Sequence, residues 1–178
     1  VNRNWESFGH VSDTGIINEL ISDVKDNAIR QSIFQSIRLK FTELVAKHLS
    51  ANAAPEIPGA ARFFEYLRRR EDVVLSIATG GWRQTAEMKL ESAGINYPDI
   101  ALASSDDHFD RQEIMKIAQR RSGEEVFTSR TYIGDGAWDK TASNALGFNF
   151  ILVGNKTSHS NQIDDYSDVD IVKSCIGL

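Results

Sequence analysis

A chain of 178 residues with 41% hydrophobic side chains is long enough to bury one real core, or one core carrying a smaller insertion. A net charge of -5 and a pI near 5.4 argue against a general nucleic-acid or polyanion binder, and the single Cys175 excludes an internal disulfide and a zinc-type cluster, which fits a reducing cytoplasm. No apolar signal core opens the sequence and no window reaches the roughly 18 apolar residues of a membrane span, so neither secretion nor a membrane partner is expected.

Residues 1–51 show helical spacing and nothing that reads as a strand. Behind the caps Ser12 and Asp13, the residues Ile17, Leu20, Ile21 and Val24 recur at helical intervals, and Phe34, Ile37, Phe41, Leu44 and Val45 form a second, longer stripe. Two helices packed face to face would bury both stripes. His10 and His48 have no metal-spaced partner and are read as surface or core-rim residues. The segment 51–59, with Pro55 and Pro58 among small residues, is the best boundary in the chain and divides a helical part, 1–54, from the remainder, 55–178.

Past that boundary helix and strand alternate. A helix over about 59–70 turns Phe63, Phe64 and Leu67 inward and ends in Arg68, Arg69 and Arg70, whose charges suit its negative end. The run 73–78 is apolar on both faces and fits an interior strand of a parallel sheet covered by helices. Thr79, Gly80 and Gly81 end this strand directly before a helix over about 82–93. A hydroxyl, free amides and a helix N-terminus converge there, a natural cradle for an anion. A plain turn that uses the dihedral freedom of glycine accounts for the same residues.

A short strand over 100–103 leads to a polar turn in which Asp106, Asp107 and His108 are read as loop and cap residues, not as a metal cluster. The next helix, about 109–121, turns Ile114, Ile117 and Ala118 inward and carries Arg111 in its first turn. The helix dipole disfavours a cation there, and a guanidinium held against that preference is suited to clamping phosphate oxygens. Residues 131–133 read as a strand end and about 138–146 as a helix, so Asp135 sits in the turn between them and Asp139 one helical turn further on. In parallel α/β sheets such a turn lies at the carboxyl edge, where ligands bind. Two acids there can hold a hard cation, Mg2+ where phosphate is the other ligand, and they equally suit an N-cap and a favourable first-turn charge. A last buried strand spans 148–153, the stretch 155–168 is turn-rich, and 169–176 forms a short strand or helix.

In order, Thr79 after an apolar strand, Arg111 at a helix start, and Gly134-Asp135-Gly136-Ala137-Trp138-Asp139 after another strand resemble the second, third and fourth motifs of the haloacid dehalogenase-like hydrolase superfamily. The resemblance covers about 57–154. It implies a three-layer, Rossmann-like α/β core with a parallel sheet and an N-terminal helical cap over 1–54. It further implies a phosphatase that acts on a small phosphorylated metabolite through an aspartyl-phosphate. Asp135 would bind Mg2+ and Asp139 would support it. Thr79 with the amides of Gly80 and Gly81 would hold the phosphoryl oxygens, and Arg111 would neutralise charge on the phosphate and the nucleophile.

The family's first motif, an apolar strand ending in Asp-x-Asp, has no counterpart in the sequence. Asp13 lacks an apolar strand before it and opens a helix, so the attacking carboxylate is expected from a strand upstream of Val1, at the sheet centre between the strands that end in Thr79 and Gly134. Without it the chain is expected to be inactive. A non-catalytic phosphometabolite-binding or regulatory module is the alternative, and carbon–halogen hydrolysis is disfavoured because a halide leaving group has no need of a metal pair.

Overall fold

Apolar strands alternating with amphipathic helices give this chain two parallel half-sheets flanked by helices, in a computed structural model that describes residues 5–123 and 126–177. After a 3-10 turn at Trp5–Ser7, helix α1 (Asp13–Leu20) is capped by Ser12, whose Oγ accepts the Gly15 N–H at 3.1 Å. Helix α2 (Asn27–Ala51) is capped by Asp26, which accepts the Ile29 N–H at 3.0 Å. The expected face-to-face packing of these two helices does not form. Instead α2 lies against α4 (Arg83–Ser92), and the rings of Phe34 and Phe41 meet Trp82 edge-on at centroid distances of 5.9 and 5.6 Å. Trp82 is only 2% exposed, and its indole gives both rings a face for edge-on aromatic contact. Leu20 and Leu44, which belong to the two stripes, stay exposed.

The core follows in regular alternation: α3 (Ala60–Arg68), β1 (Ser76–Ala78), α4, β2 (Ala101–Ala103), α5 (Arg111–Arg121), β3 (Thr131–Gly134), α6 (Ala137–Leu146), β4 (Asn149–Val153), β5 (Gln162–Ile163) and α7 (Val169–Ile176). Strand β1 pairs in parallel with β2, Ile77 opposite Leu102. Strands β3, β4 and β5 form the other half-sheet, also parallel, with Ile133 opposite Ile151 and Val153 opposite Ile163. The turn-rich stretch therefore contributes a strand, and the undecided last segment is a helix. That helix places Val172 in the main core with Phe63, Leu67, Ile151, Val153 and Ile163.

The run 73–78 departs from its expected coverage on both faces. Only three of its residues join the ladder; Val73 and Leu75 pack on the main core while Val74, 46% exposed, and Ser76 point outward. This is the period-2 alternation of a strand covered on one side. Strands β1 and β3 are not paired with each other, and the Tyr132 hydroxyl reaches across to donate to the Ala78 carbonyl at 2.9 Å. Helix α5 packs on β1 and β2, α6 packs on β3 and β4, and the two helices touch, which turns the carboxyl ends of both half-sheets toward one region. Among the described residues no helix is long and apolar enough to cross a membrane.

Candidate functional site

At the carboxyl end of β1 the chain leaves the sheet through Thr79, Gly80 and Gly81 and enters α4 behind its N-cap Trp82. Thr79 keeps its amide in the ladder, donating to Ala103 O at 3.0 Å, and its Oγ1 accepts the Gly81 N–H at 3.1 Å. The next two amides are taken by carboxylates from elsewhere in the chain: Trp82 N–H donates to Asp13 Oδ2 at 2.9 Å and Arg83 N–H to Asp106 Oδ2 at 2.7 Å. At the turn expected to cradle an anion, the amides of Trp82 and Arg83 are thus held by protein carboxylates, the kind of group a helix N-terminus favours.

Arg111, the first residue of α5, extends toward the same turn. Its Nη2 donates to the Val11 carbonyl at 2.8 Å, and a Cβ added to Gly80 would overlap that guanidinium. Glycine at this position lets the guanidinium lie against the turn, and a side chain there would displace it. Arg111 Nη1 lies 3.0 Å from Asp139 Oδ1 with both side chains largely withdrawn from water, 16% and 4% exposed. The two charges are in contact without an aligned hydrogen bond: Arg111 Nε and Asp139 Oδ1 are both buried without a hydrogen-bond partner. The mismatch at the helix start noted from sequence is therefore resolved by an ion pair across the site.

Asp139 serves α6 with its other oxygen. Oδ2 accepts the N–H groups of Asp135 and Gly136, each at 3.2 Å, a capping arrangement at the helix N-terminus. A Cβ on Gly134 would lie 2.6 Å from that oxygen, so the glycine that ends β3 makes room for the carboxylate. Burial pushes the Asp139 carboxyl above the ordinary carboxylate range, and the Arg111 charge and the capping amides only partly offset it. Burial likewise pushes the Tyr132 phenol up. Asp135 stands in the turn, about half exposed, with Oδ2 in a short ion pair to Lys156 Nζ.

Of the residues expected from sequence, Thr79, Gly80, Arg111 and Asp139 form one contiguous chain of contacts. Asp135 and Asp139 share a turn but each is neutralised by its own cation, and among the described residues no group of three or more His, Cys, Asp or Glu side chains gathers as a metal site. The loop acids take the structural roles expected of them: Asp107 bonds Arg121 at 2.5 Å and the Ser104 amide at 2.9 Å, and the Arg121 bond holds its carboxyl below the usual range. Three residues were not foreseen. Lys156 lies in a stretch without periodicity, Tyr132 reads as an ordinary strand residue, and Asp13 reads as the start of a helix. The carboxylate of Asp13 is held above its ordinary range by burial, with the Trp82 amide acting in the opposite direction.

Residues 5–153, well over half of the chain, match the family model described as haloacid dehalogenase-like hydrolase. No curated protein matches the sequence.

Proposed function

The chain belongs to the haloacid dehalogenase-like hydrolases, and from that premise we propose that it is a phosphatase acting on a small phosphate monoester. The observation that carries the proposal is the line of contacts from Gly80 through Arg111 to Asp139, which joins the ends of two separate parallel half-sheets beside the glycine turn after β1. Phosphoryl transfer asks little of a protein beyond positioning and charge compensation. Thr79 and the Gly80 amide, with the Gly81 amide as it leaves Thr79 Oγ1, would hold the transferring oxygens, and Arg111 would balance the charge that gathers on them.

Carboxylate oxygens at Asp135 and Asp139 fit Mg2+, because this ion commonly takes one or two carboxylates and fills its remaining positions with water and phosphate. Asp139 Oδ1, which has no hydrogen bond but is ion-paired with Arg111 Nη1, and the half-exposed Asp135, ion-paired with Lys156, are the donors this chain has to give once those cations yield. When bound, the cation would offset negative charge on the phosphate and orient it. The residues 1–54 would act as a cap over the core 55–178.

The attacking group is proposed to be an aspartate on a strand upstream of Val1. Among the described residues β1 and β3 share no ladder although a Tyr132 side chain spans from one to the other, which supports that proposal, since a parallel strand between them would end beside Thr79 and Asp135. One observation favours the alternative of a phosphometabolite-binding module: Asp13, Asp135 and Asp139 are each engaged by a cation or by backbone amides, so none is free to attack. Hydrolysis of a generic phosphate ester, with and without Mg2+, by this chain and by a form extended upstream separates the two. Mg2+-dependent turnover in the extended form alone supports the phosphatase. Phosphate binding without turnover in either form supports the module.

A further inference from the structure

Four consecutive residues at the start of α1 are tied to the site by six hydrogen bonds. Val11 O accepts Arg111 Nη2 at 2.8 Å, Ser12 Oγ donates to Phe109 O at 2.6 Å, and Asp13 N–H donates to Gly80 O at 2.7 Å. Asp13 Oδ2 accepts the Trp82 N–H at 2.9 Å, Thr14 Oγ1 donates to Ser105 O at 2.7 Å, and Trp82 Nε1 donates back to Thr14 Oγ1 at 3.0 Å. Asp13 Oδ2 also lies 3.7 Å from where a Gly81 Cβ would be, so a carboxylate oxygen stands at the mouth of the turn that should receive an anion. This contact does not serve α1, which is capped by Ser12; it crosses 69 residues to the start of α4, whose N-cap Trp82 has no side-chain cap bond of its own.

We propose that Val11 to Thr14 form a strap that closes the cradle, with the Asp13 carboxylate acting as an internal anion that an incoming phosphoryl group must displace. The proposal rests on the phosphate-binding reading of the Thr79 turn. Displacement frees the amide of Trp82 for a phosphate oxygen and relieves the repulsion a dianion would feel from Asp13. It also loosens the first turn of α1, because the adjoining contacts of Ser12 and Thr14 lie on the same short segment. Arrival of phosphate is thereby coupled to the seating of the N-terminal helices on the core.

The test is titration of inorganic phosphate into the chain, its Asp13→Ala and Asp13→Asn variants, and a Thr79→Val/Asp13→Ala double variant, followed by the amide resonances of Gly81, Trp82 and Arg83. Asp13→Asn retains an acceptor for the Trp82 amide, so it stands in should the alanine variant fail to fold. The strap predicts that both single variants bind phosphate about tenfold or more tightly than the parent, the scale of losing a charged hydrogen bond that competes with the ligand. It also predicts that the Trp82 amide shifts most. Equal affinity in parent and variants, with the shifts still at Thr79 to Arg83, removes the strap and leaves the phosphate site. Absence of binding in all of them, or tightened binding that survives Thr79→Val and shifts other amides, removes both.

Discussion

Arg111 Nη1 lies 3.0 Å from Asp139 Oδ1, and this pair joins a helix packed on one half-sheet to the helix that follows a strand of the other. A largely buried pair contributes little by comparison with an apolar one, but breaking it leaves a lone charge in a poorly solvated place. Arg111→Ala is expected to destabilise the fold at pH 7 by about 3 kcal/mol or somewhat more. Asp139 already has a raised pKa and escapes the cost by taking up a proton, so the loss should shrink toward pH 5. Urea denaturation at the two pH values measures this, and an equal loss at both contradicts it.

Asp135→Asn should remove Mg2+-dependent turnover from an active, extended form while leaving the fold intact. Asp135 is about half exposed and its partner Lys156 more so, and an exposed pair of that kind is worth about 0–1 kcal/mol. Thermal melting checks the second half of the expectation and Mg2+ titration the first. Full activity in the variant would overturn the assignment of the metal ligand.

Thr79→Val deletes the hydroxyl that accepts the Gly81 amide and would touch a phosphate oxygen. The stability cost is expected to be about 0.5–1.5 kcal/mol, the worth of one ordinary hydrogen bond. Phosphate affinity should fall by more than that cost implies. A protein that unfolds instead would mark Thr79 as a purely structural turn residue.

Trp82→Ala should be the most damaging single substitution in the region, costing about 3–5 kcal/mol, because the indole is almost fully buried and joins α2 to α4. Hydrogen exchange should show α2 opening before β4. Should α2 retain its protection in the variant, the ring contacts of Phe34 and Phe41 are not what seats it.

The pH dependence has two opposing parts. Asp107 has a lowered pKa through its bond to Arg121, so its contribution is present above the ordinary value of 3.8 and is lost as pH falls through the lowered one. Asp13 and Asp139 have raised pKa values, so the native state holds their protons longer than the unfolded chain does, and their burial costs stability as pH rises through the window above 3.8. Asp107→Asn should therefore weaken the fold at pH 7 and not below the Asp107 titration. Asp13→Asn should flatten the decline between pH 4 and neutrality. Chemical denaturation across pH, variant by variant, reads both slopes.

The strand-to-helix turns carrying Thr79, Arg111, Asp135 and Asp139 were legible because each depends on neighbours within a few positions: an apolar run, a glycine break, a helical stripe. What escaped depends on contacts between distant segments. Asp13 meets the amide of a residue 69 positions on, and Lys156 meets an acid 21 positions back, and no periodicity encodes either pairing. The partner of α2 escapes the sequence for a related reason. Its stripe shows that a face is to be covered, while the partner that covers it, Trp82 at the start of α4, is set by contacts between segments distant in the chain.

The Tyr132 hydroxyl on the Ala78 carbonyl has a mechanical consequence. Backbone ladders stiffen each half-sheet internally, but among the described residues the two halves are joined by the Tyr132–Ala78 hydrogen bond and by the contact of α5 with α6, including the Arg111–Asp139 pair, in place of a ladder. A seam of this kind yields before either half does. Under native conditions the protein should breathe along it, exchanging amides as two cooperative units, one around β1 and β2 and one around β3 to β5. Replacing Tyr132 with Phe should lower the opening energy of the seam while leaving the protection within each unit unchanged.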